Sequence, residues 1–201
     1  MTKNRVEAFS DGVLAIVITI MVLEMKAPPH ADRIPDLLPV APAFLSYILS
    51  FLYLGIYWNN HHHLLHAAPR VTPAVMWTNL HLLFWLSLVP FVTAWMGENH
   101  FAPQPMALYG AVLLMAAVAY WALQRAIVSI EGCDSELAQA LGPDWKGKVS
   151  TFAYAVAIPG ALLSPWIGGI AYVGVAIVWL VPDRRLARVI ERRSSAPDAG
   201  A

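Results

Sequence analysis

Four histidines lie close together in Trp58-Asn59-Asn60-His61-His62-His63-Leu64-Leu65-His66, at the end of an apolar stretch. His62 and His66 stand at i and i+4, a spacing that lets two imidazoles on one helical face meet one metal ion, with Glu7 or Asp11 able to complete the site. Histidine-rich membrane enzymes need several such clusters for a di-metal centre, and this chain has one, with His81 apart from it. A metal-dependent membrane enzyme using His61, His62, His63, His66 and His81 is therefore an alternative and not the leading reading. No Gly-rich phosphate loop, nucleophile elbow or catalytic triad is present, so the chain is read as no enzyme.

The second set of groups is Arg5, Glu7 and Asp11, in Arg5-Val6-Glu7-Ala8-Phe9-Ser10-Asp11-Gly12, at the head of a long apolar run. Ionisable groups at membrane depth are costly and face a partner, a cavity or a pore. Only Gly12 to Leu23 is free of charge, about 18 Å of helix, so Asp11 must lie inside the protein and not in lipid. The favoured reading is a buried network of Asp11, Ser10 and Arg5 with polar groups of neighbouring helices; contact with an ion is the alternative. Beyond Gly12, Ile16, Ile20 and Leu23 fall on one helical face with Thr19 beside them. In a lone helix this is a packing stripe. Around an axis shared by several copies it would form narrow apolar rings that close by dewetting, with threonine hydroxyls offering an ion its few oxygens.

The elements that carry these groups are apolar and long. The chain has 201 residues, 58% hydrophobic and 13% charged, and a span needs roughly 20 apolar residues. The runs are Val6 to Met25, Ala43 to about Leu65, about Pro73 to Met96 with an expected kink at Pro90, and about Pro105 to Val128. A proline-rich polar loop separates the first two. A polar segment, Glu131 to Lys148, carries a candidate surface helix around Ser135 to Leu141. The final stretch, Val149 to Pro182, is interrupted by Pro159-Gly160 and by Ser164-Pro165-Trp166-Ile167-Gly168-Gly169, and reads as two short helices joined by a tight turn. The expected fold is thus an all-α integral membrane protein of six transmembrane helices, with residues 1–190 as one membrane domain and residues 191–201 as a flexible cytoplasmic tail.

Charge sets the orientation. With both termini in the cytoplasm, 11 of the 13 Lys and Arg residues fall inside, and only Lys26 and Arg33 lie outside. A single long span at the end would put the five tail arginines on the far side, which argues for the hairpin. The formal net charge is zero and points to no nucleic-acid partner. The lone Cys133 rules out an intrachain disulfide. No cleavage site follows the first apolar run, so it is read as a retained helix.

The pattern Arg5-x-x-x-Phe9-Ser10-Asp11-Gly12-Val13-x-Ala15-Ile16-x-Ile18-Thr19-Ile20, followed by Leu23-Glu24, resembles the signature helix of the transmembrane protein 175 family of potassium channels. Trp58-x-x-His61-His62 is similar to that family's second-helix pattern. The resemblance covers nearly the whole chain and implies the short prokaryotic type, one six-helix unit in the cytoplasmic membrane. It further implies a homotetramer whose central pore is lined by the first helices and conducts potassium, with potassium ions as the permeant species and no cofactor. Position by position, it makes Ile16 the main constriction, Ile20 and Leu23 further rings, and Thr19 the hydroxyl that contributes to selectivity. Arg5, Phe9, Ser10 and Asp11 would be structural, tied to Trp58 and to His61 or His62. Ile20 departs from the leucine that many members carry after the threonine. A non-conducting structural membrane protein is the remaining alternative.

Overall fold

The computed structural model describes residues 2–132 and 144–180. The expected surface helix at 135–141, Cys133 and the expected tail at 191–201 lie outside the described residues. Within them the chain is helical: α1 Lys3–Leu23, a 3-10 segment Ile34–Val40, α2 Ala41–Ala67, α3 Pro73–Ser87, α4 Val89–Glu98, α5 Pro103–Glu131, α6 Trp145–Leu163 and α7 Pro165–Leu180. Prolines punctuate this order in the way their missing N–H dictates. They sit in the first turn of α2, α3, α4 and α5, where that N–H would have no intrahelical partner. Thr72 caps α3 through its side chain, accepting from Val75 N, and Asp144 caps α6, accepting from Gly147 N at 2.9 Å.

The expected kink at Pro90 is a break between α3 and α4 at Leu88, because the proline can neither donate to the preceding turn nor fit its ring there. In the final apolar stretch two helices are present as expected, and of the two interruptions read from the sequence only Ser164-Pro165 breaks the helix. Pro159 lies inside α6, which continues to Leu163, and the chain turns at Ser164 ahead of Pro165. The two helices then run antiparallel, since Trp179 Nε1 donates to Ser150 Oγ at 2.8 Å at the open end. At the closed end they approach so tightly that a Cβ on Gly160 would lie 2.6 Å from Ile167 Cγ2. The segment expected as a plain loop before α2 contains the 3-10 turn Ile34–Val40.

Among the described residues four helical segments are long and apolar enough to cross a membrane: Lys3–Leu23, Ile34–Ala67, Pro73–Glu98 and Pro103–Ile130. The apolar helix α7 is shorter, at 16 residues. Leu54 and Leu64 of α2, Leu82 and Leu86 of α3, Met96 of α4, Leu113 and Leu123 of α5 and Tyr172 of α7 fill the interior. The hydroxyls buried there are paired. Ser50 Oγ lies 2.6 Å from Thr93 Oγ1 and 3.0 Å from Tyr109 Oη. Tyr154 donates to Tyr53 Oη at 3.1 Å, and Tyr53 donates to the Tyr172 carbonyl at 2.7 Å. In an apolar interior an unpaired hydroxyl is expensive, so these bonds fix how α2, α4, α5, α6 and α7 meet.

Candidate functional site on the first helix

α1 has two unlike faces. Val6, Ser10, Leu14, Val17 and Met21 recur every three to four residues and are buried against α2, α3 and α4. The opposite face carries Phe9, Ile16, Thr19, Ile20 and Leu23, all exposed. Ile16 is 60% and Leu23 75% exposed, so most of the apolar stripe read from the sequence is left uncovered by the described residues. Thr19 Oγ1 donates to the Ile16 carbonyl at 2.9 Å. That bond uses the hydroxyl proton and leaves the oxygen lone pairs on the exposed face, where a hydroxyl can only accept or bind a cation.

The buried face is anchored by polar groups at its N-terminal half. Ser10 Oγ donates to the Val6 carbonyl at 2.9 Å and accepts from Asn79 Nδ2 at 3.0 Å. Asn79 Oδ1 lies 2.6 Å from His61 Nε2. An amide oxygen accepts only, so His61 Nε2 must carry the proton. The bonds therefore run from α2 through α3 to α1, all in the interior. The other ring nitrogen, His61 Nδ1, is buried without a hydrogen-bond partner among the described residues.

Further links run along the antiparallel α1–α2 pair nearer the surface. Trp58 Nε1 donates to Asp11 Oδ1 at 3.0 Å, and His62 Nδ1 pairs with Glu7 Oε1 at 2.6 Å. Lys3 Nζ donates to the His66 carbonyl and, at 3.3 Å, to that of Ala68. Of the residues named from the sequence, Ser10, Asp11, Trp58, His61 and His62 are thus brought together, in two separate sets. Arg5 and Phe9 are not: both are exposed on the free side of the helix.

Asn79, an amide within the third apolar run, joins the buried set directly. Its signal was an amide amid apolar neighbours in Trp77-Thr78-Asn79-Leu80. The Ser50–Thr93–Tyr109 and Tyr53–Tyr154–Tyr172 contacts were missed altogether, because isolated hydroxyls in apolar runs carry no pairing information.

The His62 ring packs beside those of His63 and His66, at centroid distances of 5.6 and 6.1 Å, but His61, His62 and His81 each take a separate partner. His61 turns inward to Asn79, His62 pairs with Glu7, and His81 accepts from Trp85 Nε1 at 2.9 Å on its own helix. Among the described residues no group of three or more His, Cys, Asp or Glu side chains is arranged to hold a metal ion.

Residues 5–90 match the family model described as endosomal/lysosomal potassium channel TMEM175. A potassium channel of Chryseobacterium sp. (strain P1-3) is 48% identical over 191 residues, covering 95% of this chain and 99% of that one. A potassium channel of Chamaesiphon minutus is 31% identical, covering 87% and 90%. The crystal structure of a lysosomal potassium-selective channel TMEM175 homolog from Chamaesiphon minutus superimposes with a TM-score of 0.71 at 30% identity, over 96% of this chain and 98% of that one. With likeness of sequence and of fold running the length of the chain, this protein belongs to the TMEM175 family.

Proposed function

We propose that this protein is a potassium channel of the short TMEM175 type, passing potassium passively through a pore that several copies build around their first helices. Potassium permeability is the property shared with its named relatives, which are channels and not enzymes. The observation that carries the placement of the pore is the division of α1. One face is anchored by Ser10 and Leu14 in the bundle, and the other leaves Ile16, Thr19, Ile20 and Leu23 exposed among the described residues.

A pore lined by one helix per chain requires a closed ring, and a homotetramer is the assembly we propose. In it Ile16 forms the narrowest ring, with Ile20 and Leu23 beyond it. Branched apolar side chains around a narrow axis expel water, so the constriction closes by dewetting and an ion must shed part of its hydration to pass. Thr19 oxygens, held with their lone pairs outward by the bond to the Ile16 carbonyl, replace part of that hydration. The Ser10–Asn79–His61 and Asp11–Trp58 bonds set the depth and rotation of α1, and so keep the rings in register; they are structural and contact no ion.

The remaining topology is part of the same proposal. α6 and α7 are the fifth and sixth transmembrane helices, both termini are cytoplasmic, as the distribution of Lys and Arg favours, and the protein resides in the cytoplasmic membrane. The test is potassium flux into proteoliposomes holding the purified protein, beside Ile16→Asn and with sodium in place of potassium. A polar side chain in the narrowest ring should keep it wet, raising flux and weakening the preference for potassium. Unchanged flux through a correctly assembled Ile16→Asn would remove the constriction from this helix.

A further inference from the structure

Between α5 and α6, with Tyr57 of α2 also on its wall, runs an open groove of about 800 Å³. Its size falls in the range of about 300–1,000 Å³ usual for ligand sites. The two ends differ in chemistry. Val118 on α5 and Phe152 and Ala155 on α6 make one end apolar, while Arg125 and Lys148, both exposed, stand at the other. The Arg125 guanidinium sits 5.1 Å from the Trp121 ring centroid, which steadies it over the groove. Asp144 lies at the same end, but its carboxylate is engaged in capping α6, accepting from Gly147 N at 2.9 Å.

The position of these charges matters as much as their sign. The uninterrupted apolar run of α5, Met106 to Leu123, ends immediately before Gln124-Arg125. The cations therefore stand where the hydrocarbon gives way to the headgroup layer, and the apolar end of the groove extends from there into the hydrocarbon. A water-soluble anion would match the cations but leave the apolar slot empty. A neutral acyl chain would match the slot alone.

We propose that this groove binds an anionic phospholipid, its phosphodiester against Arg125 and Lys148 and one acyl chain along Val118, Phe152 and Ala155. The assignment does not depend on where the pore lies. The test is native mass spectrometry of the intact purified protein titrated with phosphatidylglycerol or phosphatidylcholine, with free glycerol phosphate as competitor. The wild type should retain phosphatidylglycerol more tightly. Arg125→Gln with Lys148→Gln should weaken that lipid about fivefold per charge removed, about 25-fold together, and weaken phosphatidylcholine, whose own choline cation offsets its phosphodiester, much less. Ala155→Trp, which fills the apolar end without touching the charges, should weaken both lipids. Equal retention of the two lipids by the wild type, or an undiminished preference in the double variant, would overturn the proposal. So would glycerol phosphate competing as well as the lipid, which would make this a free-anion site. A changed number of subunits in Ala155→Trp with lipid retention intact would assign the groove to a contact between copies and overturn it likewise.

Discussion

Asn79→Leu is the most informative perturbation of the anchor that holds α1. The side chain is 2% exposed and bonds to His61 at 2.6 Å and to Ser10 at 3.0 Å, so it joins three helices through one amide. Leucine keeps the branched outline of four side-chain heavy atoms, with bulkier methyl ends, and removes the polar function. Hydrogen bonds between helices in a membrane contribute about 0.6 kcal/mol each on average, so losing two costs about 1.2 kcal/mol. The larger loss is at His61. Its Nδ1 already lacks a partner among the described residues, and without Asn79 its Nε2–H would lack one too. A buried donor left unsatisfied costs about 1–3 kcal/mol. Ser10 fares better, because its proton still reaches the Val6 carbonyl. The expected destabilisation is therefore about 2–4 kcal/mol, most of it carried by the imidazole. Equilibrium unfolding in mixed micelles measures it. His61→Leu in the Asn79→Leu background should recover much of the loss, since it removes the orphaned ring. A stability within about 0.5 kcal/mol of wild type for Asn79→Leu would refute the reasoning, because surface-like neutrality is incompatible with a buried group bonded on both sides.

Thr19→Val keeps the shape of the side chain and removes the oxygen proposed to meet the ion; potassium over sodium permeability measured from reversal potentials should fall by about fivefold, the equivalent of about 1 kcal/mol for one hydrogen-bonding group. An unaltered ratio in a conducting Thr19→Val channel would exclude the hydroxyl from selectivity. Gly97→Ala should lower the midpoint of thermal unfolding, because the new Cβ would lie 2.5 Å from the Ala43 Cα and 2.6 Å from Ser46 Oγ, forcing α4 away from the start of α2 at a cost of about 1–3 kcal/mol. An unchanged midpoint would mean that these helices are not in close contact.

Much of the architecture was legible because membranes and prolines impose strong local rules. Apolar length marked the first four helical segments, since a backbone without water to bond must close its own hydrogen bonds as helix. Pro90 forecast the break between α3 and α4, since the cause lies in one residue's own covalent geometry. Pro159 shows where that rule fails. The same missing N–H lies inside α6, and the chain turns instead at Ser164, where Pro165 starts α7 and the close approach of Gly160 to Ile167 lets the two helices pack back on each other. A proline's effect on a helix depends on what neighbouring helices can re-satisfy, which sequence position does not encode.

The anchor divides the same way. That Asp11 needs protein partners follows from its place in the chain, because a carboxylate cannot be left in hydrocarbon, and that Ile16, Thr19, Ile20 and Leu23 share a face follows from helical periodicity, which is local. Which partner each group takes comes from the packing of the helices: Trp58 for Asp11, His62 for Glu7, Asn79 and through it His61 for Ser10. It also decided that Arg5 and Phe9, two members of the same sequence motif, point away from that anchor. Periodicity states which residues point the same way. It cannot state what stands opposite them, because that follows from the crossing of helices whose contacts lie 47, 55 and 69 residues apart in the chain.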